Sequence, residues 1–315
     1  MYSSNVPDAS NFVSTFNTAF FSVIGVSIVL LIAITILMLY FVYKYSRKKN
    51  KVATQIEGNT KLEIIWTVIP TILVLTMFYF GWAGWDPMTK PPKDGLNVTT
   101  IARMWNFSFL YENGKQSADL IVPVGTPVKL KLVSVDVLHS VFIPAFRIKE
   151  DIIPGRDKLM WFIPQREGSF DLYCAEYCGL DHSRMGANVK AIPQAEFDKW
   201  YNDTTAVKST VDANVPGAEG LAIMKTQGCN ACHSSDGTKI IGPSYLGLWG
   251  STHTVVRGGQ DVNITVDSAY IKKSIYEPNY EVVKGYQKGL MQPYEKSVSA
   301  KDLEKIIEYL QTLEE

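Results

Sequence analysis

Two uncharged apolar runs near the start of the chain constrain its fold more than any other feature. One is FFSVIGVSIVLLIAITILMLYFVY, from Phe20 to Tyr43, and the other spans roughly Ile64 to Trp85. Each is long enough to cross a bilayer as a helix, which takes ~20 residues. Pro70 falls in the first turns of the second run, where a helix accommodates it. The first run is too long for a signal peptide, and no basic residue precedes it and no small-residue cleavage site follows. Between the runs, KYSRKKNKVATQIEGNTK carries Lys44, Arg47, Lys48, Lys49, Lys51 and Lys61, whereas no Lys or Arg precedes Phe20. Positive charge collects on the cytoplasmic side. The pattern therefore predicts an external N-terminal segment over 1–19 and a transmembrane hairpin over 20–85. The hairpin has helices at about 20–43 and 64–85 and a cytoplasmic loop at 44–63, and everything after about residue 86 lies outside the cytoplasm.

The remainder reads as soluble protein in two textures. Net charge is zero, with 31 basic and 31 acidic residues, so nothing in the balance points to nucleic acid. After the Pro/Gly-rich exit DPMTKPPKDG come short β-branched and aromatic segments, among them ADLIVPVG, PVKLKLVSVDV and GSFDLYC. Turn signals such as ENGK and PGRD separate them, which predicts an antiparallel β sandwich or barrel over 86–203. The polar stretch 204–217 lacks apolar periodicity and reads as a linker. From Ala218 to Glu315 the texture is helical. SAYIKKSIYE is one helix candidate, and SAKDLEKIIEYLQTL is another, capped by Ser299 with an apolar stripe of Leu303, Ile306, Ile307, Leu310 and Leu313.

All four cysteines sit in motifs that include a histidine. Cys229, Cys232 and His233 form C-x-x-C-H, the attachment sequence for a c-type haem. Two thiols bind the vinyl groups and the adjacent imidazole ligates the iron. A thioredoxin-like C-x-x-C is the structural alternative. The order of a helix, CNACH, the proline loop IIGPSYLGLWG, then GYQKGLMQPY and a terminal helix resembles class I cytochrome c over 218–315. That resemblance makes Met291, the one methionine after the haem motif, the distal ligand, with His253 as the rival. Met/His ligation suits electron transfer.

The other pair lies in CAEYCGLDHSRM, where Cys174, Cys178, His182 and Met185 fall within twelve residues. Thiolate and thioether are soft donors, and together with imidazole they point to copper. One blue-copper ion needs a single cysteine, so two bridging thiolates offer enough for two ions. A second histidine is then required, and before the cytochrome region only His139, in SVDVLHSVFIPAF, remains.

These residues resemble the CuA domain of haem–copper oxidase subunit II. The family's ligands fall on His139, Cys174, Cys178, His182 and Met185, and its backbone-carbonyl ligand on Glu176. The signature KEDIIPGR, from Lys149 to Arg156, and the two-span hairpin match as well. The resemblance implies a multidomain membrane protein: a two-helix hairpin, a cupredoxin-like antiparallel β domain and an all-α class I cytochrome c, as in a caa3-type oxidase. It implies a subunit of a respiratory cytochrome c oxidase that accepts electrons on haem c. These pass through binuclear CuA to the haem of subunit I, where oxygen is reduced to water and protons are pumped. A CuA-bearing subunit of a nitric-oxide reductase is the alternative. Trp105, in WNFSFLY, takes the place of the family's electron-entry tryptophan, and Phe107 replaces the second one. Glu63 stands where the family has a proton-pathway entrance, and the Glu176 carboxylate where it holds magnesium against subunit I. Implied partners are subunits I and III, with a cytochrome c or a quinol-oxidising complex as donor. The implied location is the bacterial cytoplasmic membrane, with both soluble domains on the periplasmic side.

Overall fold

The computed structural model describes residues 8–52, 55, 57–203 and 216–313. Helices α1 (Val13–Lys44) and α2 (Thr60–Trp85) form the hairpin, and both are long and apolar enough to cross a membrane. No residue of their most apolar windows is buried within the chain. Side chains such as Ile28, Leu31, Ile69 and Phe78 stand exposed, as suits a surface facing lipid or another apolar subunit. α1 begins before the apolar run because its first residues have a protein partner. Phe12 is buried and meets Trp161 edge-on at 4.9 Å. Just ahead of it, the Ser10 hydroxyl donates to the Phe146 carbonyl (2.9 Å) and the Asn11 side chain accepts from the Ile163 amide (2.8 Å). α2 starts on Asn59, whose side chain accepts from the Leu62 amide at 3.2 Å, an N-cap that satisfies one free donor of the first turn.

Ten strands follow: β1 (Leu96–Arg103), β2 (Asn106–Tyr111), β3 (Gln116–Ser117), β4 (Leu120–Pro123), β5 (Val128–Ser134), β6 (His139–Ile143), β7 (Ile148–Ile152), β8 (Lys158–Phe162), β9 (Gly168–Tyr173) and β10 (Gly186–Ile192). They make two sheets of five, in the orders β3-β2-β1-β5-β8 and β4-β10-β9-β6-β7. Most neighbours are antiparallel, but β1 pairs with β5 and β4 with β10 in parallel, because the chain crosses between sheets before returning beside them. Alternation sets the faces. In β5, Val128, Leu130 and Leu132 are buried while Lys129 and Lys131 turn outward. The core holds Phe107, Phe109, Tyr111, Leu130, Ile143, Phe146, Phe162 and Leu172, each at most 2% exposed. The buried Tyr111 hydroxyl accepts from the Ile121 amide (2.7 Å) and donates to its carbonyl (2.8 Å), so its polar end is satisfied. Helix α3 (Gln194–Asn202) closes the sandwich.

The C-terminal region is built on α4 (Ala218–Gln227) packed against α6 (Ala300–Leu310), with α5 (Ser268–Tyr276) beside them. Ser299 and Asp302 form a reciprocal capping box at the start of α6, whose Leu303, Ile306 and Leu310 are buried. This helical domain also carries a small sheet that the sequence reading does not anticipate: β11 (Thr252–Arg257), β12 (Gln260–Thr265) and β13 (Glu281–Val283), in the order β12-β11-β13. Of the proposed linker 204–217, only residues 216 and 217 lie among the described residues, and 1–7 of the N-terminal segment also fall outside them.

Phe146 joins the hairpin end to the sandwich core. Its ring lies 5.0 Å from both Phe162 and Phe170, and its carbonyl receives Ser10. Phe146→Ala is expected to destabilise the sandwich by about 3–5 kcal/mol. Thermal unfolding of the detergent-solubilised chain, followed by near-ultraviolet circular dichroism, checks this. An unchanged midpoint would mean that the core re-forms without the ring.

Candidate metal centre and haem cleft

Every soft donor identified in the β domain converges on one point. β6 opens with His139, and β9 ends at Tyr173, just before Cys174. The loop from Cys174 to Met185 turns back on itself, so that the Cys174 amide donates to the Met185 carbonyl at 3.1 Å. The two sulfurs are unbonded and 3.8 Å apart. Cys174 Sγ has His139 Nδ1 at 3.8 Å and the Glu176 carbonyl at 3.3 Å. Cys178 Sγ has His182 Nδ1 at 3.5 Å and Met185 Sδ at 3.7 Å. Each sulfur thus has one imidazole nitrogen and one weaker donor at hand. His139, Cys174, Cys178 and Met185 are all buried.

The electrostatics favour a cation among these groups. Burial opposes charge on both thiols, yet hydrogen bonds from His139 and from the Ser140 and Glu176 amides bring Cys174 below its usual value. Cys178 moves upward, through burial and then through the negative charge of Cys174. Left to itself the pocket favours one thiolate and not two. A second thiolate needs positive charge between the sulfurs, and soft, borderline metal ions supply it. The donor set therefore fits copper.

Asp136 lies behind this cluster. Its Oδ1 is 2.7 Å from His139 Nε2, and its Oδ2 accepts from the Met104 amide at 2.8 Å. The carboxylate fixes the imidazole so that Nδ1 faces the sulfurs, the arrangement found behind metal-ligating histidines. Burial works against charge on His139, but Asp136 and Cys174 raise it to about 8. Sequence reading missed Asp136, although an Asp three residues before a ligand His in SVDVLH is a visible signal.

The second site is a cleft of about 1370 Å³, including its open mouth, lined by Cys229, Cys232, His233, Met291, Tyr245 and Tyr294 among others. Cys229 to Ala231 form a short helical turn that brings the motif together. His233 Nδ1 meets the Pro243 carbonyl at 2.7 Å, leaving Nε2 free to ligate. Burial lowers its pKa, so the ring stays neutral. Tyr245 stacks on this ring at 4.9 Å. Gly242 is needed beside it, since a Cβ there would come within 2.5 Å of His233 Cε1. Burial pushes the Cys229 thiol up to about 12 and Cys232 to about 11, so both sulfurs stay uncharged. His253 lies on β11, paired with Ile264, and does not line the cleft.

The two sites share a wall. Trp105, 3% exposed, donates its indole N–H to the Cys178 carbonyl at 3.2 Å, while its neighbour Met104 lines the haem cleft. Cys232, Ile241 and Leu290 of the cytochrome pack against the apolar core of the β domain. Gly228 approaches Asn106 so closely that a Cβ would lie 2.4 Å from it. Asn106 reaches the Thr226 carbonyl (3.4 Å), and Gln227 reaches Gln116 (3.1 Å). Phe107 and Phe109 are core residues. Two carboxylates singled out in the sequence have other surroundings. Glu63 is exposed in the first turn of α2. The Glu176 carboxylate pairs with Lys149 at 2.7 Å, and Lys149 also holds Asp151.

Two membrane-spanning helices, a cupredoxin-like domain with a sulfur–imidazole cluster and a helical haem-binding domain define a membrane-anchored electron-transfer subunit. Comparison with known proteins gives the same result. Residues 1–81 match the transmembrane domain of cytochrome c oxidase subunit II, 108–192 its periplasmic domain, and 217–314 cytochrome c. Cytochrome c oxidase subunit 2 of Alkalihalophilus pseudofirmus is 28% identical over 304 residues, covering 92% of this chain and 85% of that protein. The alternative cytochrome c oxidase subunit 2 of Bradyrhizobium diazoefficiens is 30% identical over 200 residues, covering 53% of this chain and 72% of that protein. The crystal structure of the periplasmic domain of subunit II from Bradyrhizobium japonicum is 28% identical, covers 37% of this chain and 97% of that one, and has a TM-score of 0.35. The chain belongs to the cytochrome c oxidase subunit II family, in a form that carries a C-terminal cytochrome c domain.

Asp136→Asn is expected to weaken copper retention about ten- to hundredfold, the usual effect of losing a carboxylate behind a ligating histidine. Competition against a copper(I) chelator measures it, and equal retention would remove Asp136 from the site. Gly242→Ala is expected to displace the His233 ring and so change the low-spin haem spectrum. A spectrum identical to that of the unaltered chain would show that the ring has room to shift.

Proposed function

We propose that the chain is an electron relay that takes electrons at a covalent haem c on Cys229, Cys232, His233 and Met291 and delivers them to subunit I. Two copper ions would be held by His139, Cys174, Cys178, His182, Met185 and the Glu176 carbonyl. Bound at these residues, haem and copper supply reversible one-electron chemistry.

The chain's own part is geometry, burial and support. The Met104–Trp105 turn carries the reading: one residue lines the haem cleft, and the next is hydrogen-bonded to the loop holding the sulfurs. A second connection runs from the Met104 amide through Asp136 to His139. Cys232, Ile241 and Leu290, packed against the β-domain core, give this crossing an apolar contact. Pro243 orients His233, and Asp136 orients His139. Covalent linkage of the two domains keeps the effective concentration of one at the other high.

The lysine- and arginine-rich loop supports a hairpin with that loop in the cytoplasm. Ser10 and Asn11 meet the same sandwich that α2 leads into, which fits both hairpin ends and both soluble domains on the periplasmic side. Glu63, at the loop end of α2, then faces the side from which protons are taken up, and we assign it the entrance of a proton path into subunit I. A magnesium ion on the Glu176 carboxylate would require Lys149 to move away. Subunit III, and a cytochrome c or quinol-oxidising complex as donor, complete the proposed assembly.

Metal and haem analysis of the purified full chain is expected to give copper, covalent haem and polypeptide in a ratio of two to one to one, by the donor count above. One copper per chain, or a Cys174–Cys178 disulfide, would end the binuclear reading. Met291→Ala is expected to keep the haem attached and lower its potential, since loss of a thioether ligand disfavours the reduced state. An unchanged potential and spectrum would exclude Met291 as a ligand.

A further inference from the structure

We propose that Arg103, the last residue of β1, serves the cytochrome: its guanidinium packs from the β-domain side against Tyr294, a wall of the haem cleft, and holds the haem potential above what the cytochrome domain alone would set. This rests on the assignment of a covalent haem to Cys229, Cys232, His233 and Met291.

Arg103 is only 7% exposed, although it is a cation on the outer strand end next to Met104 and Trp105. Its guanidinium carbon lies 4.6 Å from the centre of the Tyr294 ring. Tyr294 belongs to the other domain, is 8% exposed and lines the cleft together with Cys229. Arg103 and Tyr294 thus make a cation–π contact across the domain boundary, at the wall of the haem site. Arg184 and Arg257 each rest on a carboxylate, Asp181 and Glu281. Among the described residues Arg103 has no carboxylate within ion-pair reach, so no side chain neutralises its charge.

An uncompensated positive charge in a water-poor site acts over several ångströms. Loss of an electron from the cleft leaves one more positive charge there, and a fixed guanidinium opposes it. The oxidised form is destabilised relative to the reduced form, which raises the potential. A neutral residue of similar length would fill the space without this effect. With Arg103 in place, the potential of the haem depends on the cytochrome being seated on its acceptor.

The test is a spectroelectrochemical titration of the haem in the full-length, haem-loaded chain in detergent. Arg103→Met is expected to shift the reduced-to-oxidised ratio about tenfold toward oxidised at a given potential, which is ~59 mV for a one-electron couple. Arg103→Lys keeps the charge but loses the planar stack, and it is expected to stay within about threefold of the unaltered chain. The methionine-to-iron absorption band should be unchanged in both. A potential for Arg103→Met within about twofold of the unaltered chain overturns the proposal, as does an equal tenfold fall in both variants, which would mark a packing role. Should Arg103→Met not accumulate, Arg103→Lys decides: a potential near that of the unaltered chain supports the charge role, and a tenfold fall refutes it. An unaltered chain without covalent haem overturns the haem assignment and the proposal with it, and this is seen before any variant is compared.

Discussion

Two thiols and an imidazole held together out of water impose the central constraint on this molecule. Sulfurs 3.8 Å apart, both buried, do not tolerate two negative charges without a positive partner. The surrounding protein has to keep them close without joining them. It does so with strand ends rather than a free loop: β6 delivers His139, β9 delivers Cys174, and the Cys174–Met185 backbone contact shuts the loop. The sandwich core of Phe107, Phe146 and Phe162 fixes where those strand ends lie. Rigidity in the core thus becomes precision at the donors.

The same economy governs the boundary with the cytochrome. A single turn, Arg103 to Asn106, faces the cytochrome in one direction and the sulfur loop in the other. Asn106 meets Gly228, Met104 lines the haem cleft and Trp105 reaches the Cys178 carbonyl. Asp136 ties that turn to His139 by accepting from the Met104 backbone. A change at the turn is therefore felt in both sites.

Much of this was legible in the sequence because the chemistry was local. The spans needed only uninterrupted apolar runs, and the sulfur cluster needed only close spacing of Cys174, Cys178, His182 and Met185. C-x-x-C-H carries its own meaning. Contacts between distant segments were not legible. No local pattern tells that Arg103 lies on Tyr294, or that Met104 enters the cleft of a domain more than a hundred residues away. Asp136 stood three residues from a suspected ligand, and the sheet of β11 and β12 was signalled by two alternating runs around Gly258–Gly259. Both signals were overshadowed by the helical texture and the stronger cysteine motifs. The early start of α1 was hidden for a different reason. Phe12 belongs to the soluble core although it directly precedes a membrane helix.

Trp105, at 3% exposed, is covered by the Cys178–Gly179 stretch of the sulfur loop and does not reach the surface. A free carrier protein approaching from solution finds this indole already covered. In the proposed relay, recognition of the donor would fall to the outer face of the haem domain and not to the copper loop. That face is free to change its charge and shape to suit a new carrier while the buried crossing stays as it is.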